Sequence, residues 1–126
     1  MILRNLLLVF VGGGTGCIAR YGISLLLKRF CDNLHGFPVH TFVANIIGCL
    51  IIGLATGYLA KHANSSLSLL LVTGFCGGFT TFSTFSLESL SLFKCGQPET
   101  ACLYILTSLA TCLLCVSVGL FAAYKI

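Results

Sequence analysis

Polar and apolar residues fall in long blocks along this chain instead of alternating. Residues 5–27 contain one charged side chain, Arg20, and residues 37–60, 67–87 and 101–124 contain none. Roughly 20 apolar residues at ~1.5 Å rise cross the ~30 Å hydrocarbon layer of a bilayer, and each block is long enough. The pattern predicts an all-α membrane protein with four transmembrane helices over these spans, in one domain of residues 1–126. Short loops are expected at 28–36, 61–66 and 88–100.

Composition supports lipid as the solvent. The chain is 57% hydrophobic and 8% charged, against about 25% charged in a typical globular protein. Too few charges remain to dress a water-facing surface. The first span is glycine-rich and lacks a small-x-small cleavage site before a polar region, so it reads as a retained helix and not a signal peptide. A multi-pass protein of a prokaryotic cell membrane is expected, with no nucleic-acid partner.

The charges also bear on topology. Arg4, Lys61 and Lys125 fall on one side of the four spans, and Lys28, Arg29 and Lys94 on the other. Lys/Arg bias normally orients a membrane protein, and here it nearly vanishes. Both orientations can then insert, which leads to the expectation of an antiparallel, dual-topology homodimer.

The eight cysteines do not form a disulfide framework. Six lie within spans, where cysteine behaves as a small hydrophobe. Cys112 and Cys115 make a formal C-x-x-C, but a metal or redox role would need further ligands or a soluble fold. The run VFVGGGTGCIARYG superficially looks like a dinucleotide-binding turn. After Gly12 and Gly14, however, the third glycine position is Cys17, and no alternating strand and helix pattern follows. Gly12 and Gly16, like Gly53 and Gly57, instead make small-xxx-small pairs for close helix packing.

Polar groups inside a bilayer are costly, so their positions mark candidate chemistry. Arg20 suits either a snorkelling side chain or an electropositive vestibule. Asn45 offers two N–H donors and one acceptor in the second span; its plain reading is an interhelical hydrogen bond. In the fourth span Tyr104, Ser108 and Cys112 recur every four residues, with Thr107 and Thr111 beside them, as a hydroxyl-bearing face. No carboxylate lies within the uncharged blocks, and Glu88 reads as the cap of the third. Cation-handling membrane proteins generally need an intramembrane acid; donors without an acid fit a small anion.

The stretch GFCGGFTTFSTFSLE, residues 74–88, interrupts the third span near its centre. Gly77 and Gly78, followed by Thr80 and Thr81, predict a non-helical break. A break frees backbone carbonyls and N–H groups that lipid cannot satisfy and that transporters use to hold ions. Phe82 and Phe85 follow at i and i+3 on one face. Their plain reading is apolar packing, but ring edges carry partial positive charge and can contact an anion beside Thr, Ser and Asn donors.

This stretch closely resembles the signature of the Fluc/CrcB fluoride channels, G-x-x-G-G-x-T-T-F-S-T-F-S-x-E, at every fixed position. The likeness extends along the chain, through the arginine closing the first helix, the Thr41–Asn45 spacing and the Tyr104/Ser108 stripe. It departs at His40, where relatives often have glycine, and at Cys112, where serine occurs. The resemblance implies an antiparallel homodimer with two fluoride pores that mediates passive fluoride efflux from the cytoplasm. It also implies a structural, untransported Na⁺ held by the main-chain carbonyls of Gly77 and Thr80. Pore positions would be Asn45, Phe82, Ser83, Thr84, Phe85, Tyr104 and Ser108, with Arg20 and Glu88 near the pore ends. The main alternative is a small dual-topology exporter of cationic drugs, and no nucleophile–base pair supports an enzyme.

Overall fold

The computed structural model describes residues 1–33 and 36–125, with side chains described outside 29–33. The sequence-based placement of Arg29 therefore lies outside the described side chains. Five helical segments make four membrane-length spans, and the described residues contain no strand. Helix α1 is Ile2–Asn33 and α2 is Val39–Lys61. The third span divides into α3 (residues 65–79) and α4 (Phe82–Lys94), and the fourth is α5 (Pro98–Lys125). All four are long and apolar enough to cross a bilayer. The chain is a multi-pass membrane protein.

Helix α2 is the hub. It packs along most of α5 and also touches α1, α3 and α4. Glycines set the α2–α5 distance: a Cβ at Gly53 would lie 2.4 Å from the Val116 carbonyl oxygen, and one at Gly119 would lie 2.6 Å from that of Leu50. At the end of this seam Lys61 Nζ donates to the Tyr124 carbonyl at 2.9 Å. A second tight seam joins α1 to α3. Cβ atoms at Gly12 and Gly16 would each come within 2.2 Å of an α3 backbone oxygen, from Leu70 and Phe75 respectively. The small-xxx-small reading of these glycines is correct.

Helix α3 is unusual within itself. Asn64 caps it, accepting from the Leu67 N–H at 3.0 Å. Its middle, Leu69–Cys76, is π-helical, and Gly77–Phe79 returns to α-helical geometry. π-Helical segments are rare and often accompany functional sites. The chain is therefore still helical at Gly77 and Gly78. The break falls at Thr80 (ψ 157°) and Thr81 (φ −150°), both extended. Gly78 serves close approach instead: a Cβ there would lie 2.3 Å from the Gly13 carbonyl oxygen. Two β-branched residues, which favour extended backbone, take the break itself.

The span ends also differ from the hydropathy reading. Backbone helix continues in α1 to Asn33, and α4 passes Glu88 to end at Lys94. The stop is a turn at Cys95–Gln97. Gly96 adopts φ +74°, its N–H bonds the Phe93 carbonyl, and the Gln97 N–H bonds that of Leu92. Such paired bonds, with glycine in the left-handed region, terminate helices. Pro98, whose missing N–H costs nothing at a first helical position, opens α5.

A small buried cluster holds α4 against α5 through Phe85, Leu92, Ala101 and Tyr104, with Phe37 and Phe42 packed onto it. By contrast, α1 and α5 leave large apolar side chains outward, including Phe10, Ile18, Leu26, Leu113 and Phe121.

Candidate functional site: a groove at the helix break

The two-residue break displaces backbone groups that a continuous helix would pair. The Thr81 N–H would reach back to Gly77; instead it donates to Asn45 Oδ1 at 2.8 Å. Asn45 Nδ2 donates to the Thr81 carbonyl at 3.2 Å. One amide from α2 therefore satisfies both backbone groups of a single extended residue. The interhelical hydrogen bond expected of Asn45 is present, doubled, and aimed at the break.

Thr81 also restarts the helix. As N-cap of α4, its Oγ1 accepts from the Thr84 N–H at 3.2 Å and donates to Thr84 Oγ1 at 3.0 Å. Ser/Thr caps of this kind typically contribute ~1 kcal/mol. That N–H is the one that would otherwise reach the Thr80 carbonyl. On the other side, Thr80 N–H and Oγ1 both donate to the Cys76 carbonyl, at 2.9 and 2.8 Å. The Gly78 carbonyl accepts from Cys17 Sγ of α1 at 3.4 Å.

Two cavities flank the break. The first, about 370 Å³, runs along α2, α4 and α5 and is lined by Asn45, Cys49, Phe82, Phe85, Ser108 and Cys112 among others. The second, about 250 Å³, opens on the α1 side and is lined by Arg20, His40, Thr41, Thr84 and their neighbours. Thr81 borders both.

The candidate residues sort unequally between them. Asn45, Phe82, Phe85 and Ser108 share the first cavity, while Arg20 and Thr84 share the second. Ser83 is exposed and borders neither, with its Oγ 3.3 Å from Thr81 Oγ1. Phe82 and Phe85 touch, with ring centroids 5.7 Å apart, but Phe82 is 75% exposed and Phe85 only 8%. Tyr104 is fully enclosed behind Phe85, centroid to centroid 5.1 Å.

The hydroxyl face of α5 narrows in the structure. Thr107 and Thr111 donate back to their own helix, to the Leu103 and Thr107 carbonyls, both at 2.6 Å. That is the usual fate of membrane hydroxyls. Ser108 is different: it is 4% exposed, borders the first cavity, and its Oγ has no partner among the described residues. Arg20 Nε is likewise buried without a partner beside the second cavity.

Glu88 departs most from the sequence reading. It does not cap the span but lies about two turns inside α4, enclosed by α2 and α5. Thr41 Oγ1 donates to its Oε1 and the Tyr104 hydroxyl to its Oε2, each at 2.8 Å, and His40 Nε2 lies 3.2 Å from Oε1. The bundle interior therefore does contain a carboxylate, and it already accepts from donors on two other helices. Glu88→Gln is expected to replace two charge-assisted bonds with weaker ones and lower stability by about 1–3 kcal/mol. Thermal unfolding in detergent, followed by gel filtration, checks this; an unchanged midpoint would remove Glu88 as a cross-tie.

Thr81 and Thr41 escaped the sequence reading as site residues. Thr81 carried a signal, a Ser/Thr preference at helix starts, but only with the break correctly placed. Thr41 was visible only as a residue one turn before Asn45; that its hydroxyl bonds Glu88 across helices was not.

A family model described as CrcB-like protein, camphor resistance (CrcB), matches residues 7–120. The chain belongs to the CrcB family. Among its curated relatives, a protein of Phocaeicola vulgatus named fluoride-specific ion channel FluC is 42% identical over 120 residues, covering 94% of this chain and 98% of its own. A Flavobacterium psychrophilum protein of the same name is 40% identical over 126 residues, covering 98% and 100%. A third, from Ruminiclostridium cellulolyticum, is 43% identical over 124 residues, covering 97% and 94%. This CrcB-family chain thus matches these relatives along essentially its whole length.

Proposed function

We propose that this protein is a fluoride-selective channel that lets fluoride leave the cytoplasm passively down its gradient. The observation that carries the reading is the first cavity. There the unpartnered Ser108 hydroxyl, the Asn45 amide and the Phe82/Phe85 rings line one groove beside a broken helix. Fluoride is strongly hydrated, so a path for it needs donors to replace its water shell. Hydroxyl and amide hydrogens supply them directly, and ring edges add partial positive charge without the deep trap a lysine would make. The names of the relatives point to the same ion. Arg20, with its buried Nε at the second cavity, draws anions toward the break. Glu88 does not fit a drug exporter's binding acid, because both its oxygens already accept from side chains of its own chain, Thr41 and Tyr104.

The working unit in this reading is an antiparallel homodimer with two pores. It is supported by the near-equal Lys/Arg counts on the two sides and by the apolar faces of α1 and α5. Gly77 sits three residues before the break with open space where a Cβ would be, as a partner's close approach would require. The Gly77 and Thr80 carbonyls fit a hard, oxygen-loving cation such as Na⁺, because the N–H groups that would pair with them donate to Asn45 and Thr81 instead. Two such pairs, one from each chain, would hold the ion on the dimer axis and tie the breaks together.

The test is efflux from liposomes containing purified protein and loaded with fluoride or chloride. Fluoride should leave quickly and chloride stay behind. Equal release of both, or release of neither, would overturn the reading.

A further inference from the structure

The α2–α5 seam brings together two thiols that the sequence separates by more than sixty residues. Cys49 on α2 and Cys112 on α5 both line the first cavity, together with Asn45 and Ser108. Neither takes part in a disulfide. The C-x-x-C partner of Cys112, Cys115, does not border that cavity. The pair is held by rigid neighbours: Gly53, four residues from Cys49, is pressed against the Val116 carbonyl, four residues from Cys112. Two thiols brought to one cavity by glycine-packed backbones offer a pair of soft donors to a ligand that needs two.

We propose that Cys49 and Cys112 form a two-coordinate site for a thiophilic d¹⁰ cation, of which divalent mercury is the best-matched member, in the wall of the groove. Soft thiolate donors select soft metals. Zinc would want four ligands, and the described residues contain no cluster of three His, Cys, Asp or Glu side chains. A linear S–Hg–S unit needs only two. On binding, both S–H bonds break, two S–Hg bonds form, and two protons pass to water in the open groove. The product is neutral, which suits a mostly apolar cavity where a net charge would be costly. The metal would then lie beside Asn45 and Ser108. That it also obstructs the anion path rests on the channel reading above.

Binding and flux are measured separately. Detergent-purified wild type is exposed to mercuric ion, desalted in the presence of excess monothiol, and assayed for retained mercury. The competitor strips mercury from single thiols but not from a two-thiol chelate. Wild type should retain a stoichiometric amount, and Cys49→Ser and Cys112→Ser should each lose it. In liposomes, mercuric ion should inhibit fluoride efflux, and each serine variant should need roughly tenfold more metal for the same fractional inhibition of its own basal rate. Gel filtration confirms that each variant is folded. A variant retaining only Cys49 and Cys112 of the eight cysteines should still hold the metal. Retention unchanged in either single variant would overturn the site. Loss of retention in both, with efflux insensitive to mercury in wild type, would uphold the site and instead count against the groove as the anion path.

Discussion

Asn45→Ala is expected to stop fluoride efflux and to destabilise the protein, because one side chain supports both backbone groups of Thr81. Its Oδ1 accepts the Thr81 N–H at 2.8 Å and its Nδ2 donates to the Thr81 carbonyl at 3.2 Å. Removing the amide orphans a donor and an acceptor at a break that lipid cannot hydrate. An unsatisfied buried group costs about 1–3 kcal/mol, so the pair amounts to roughly 2–6 kcal/mol. The break should lose its fixed geometry, and with it the wall that places Phe82 and Phe85. Asn45→Asp separates the two roles. Aspartate still accepts from the Thr81 N–H but cannot donate to the carbonyl, and it adds negative charge to an anion's path. It should recover part of the unfolding midpoint in detergent but none of the flux in liposomes. An alanine variant that is as stable and as active as wild type would refute the role given to Asn45.

The second large effect concerns the rings, whose unequal burial allows function to be parted from folding. Phe82 is 75% exposed, so Phe82→Ile removes little packing; Phe85 is 8% exposed and packs at a tilt against Tyr104. Phe82→Ile should therefore leave the unfolding midpoint nearly unchanged while lowering fluoride throughput. An aromatic contact contributes about 0.5–1.5 kcal/mol. At ~1.4 kcal/mol per tenfold change in rate, loss of even one ring-edge contact in the transition state for passage means up to about a tenfold drop. Phe85→Ile should cost as much flux and also about 1–3 kcal/mol of stability. Normal conduction by Phe82→Ile would reduce the exposed ring to a lipid contact.

Hydropathy was enough to place four spans, since lipid enforces long apolar blocks whatever the tertiary detail. It placed their ends badly where a charged residue was taken for a boundary. Glu88 looked like a cap because its partners, Thr41 and Tyr104, are 47 and 16 residues away. Only the assembled bundle reveals that a carboxylate can be housed there. The true stop, a glycine turn before Pro98, was written in the sequence but outweighed by the charge. The break illustrates the opposite error. Its neighbourhood was legible from Gly77–Gly78, yet those residues remain helical, and Gly78 answers to the backbone of α1. The π-helical turns of α3 left no trace in residue type, because they come from tertiary packing. At the groove itself, Asn45 and Ser108 were visible as polar groups out of place. Thr81 was not, because its importance lies in its main chain.

An amide nitrogen carries two hydrogens, and in Asn45 one is already committed to the Thr81 carbonyl. In the proposed channel, an ion at that wall would therefore meet a single N–H at this point, already oriented by the bond to Thr81. Ser108, which lines the same cavity from α5 and has no partner among the described residues, would be able to swing its proton to follow. Shedding water along such a path would mean passing from a rigid donor to a swivelling one, with no station able to hold its visitor by itself.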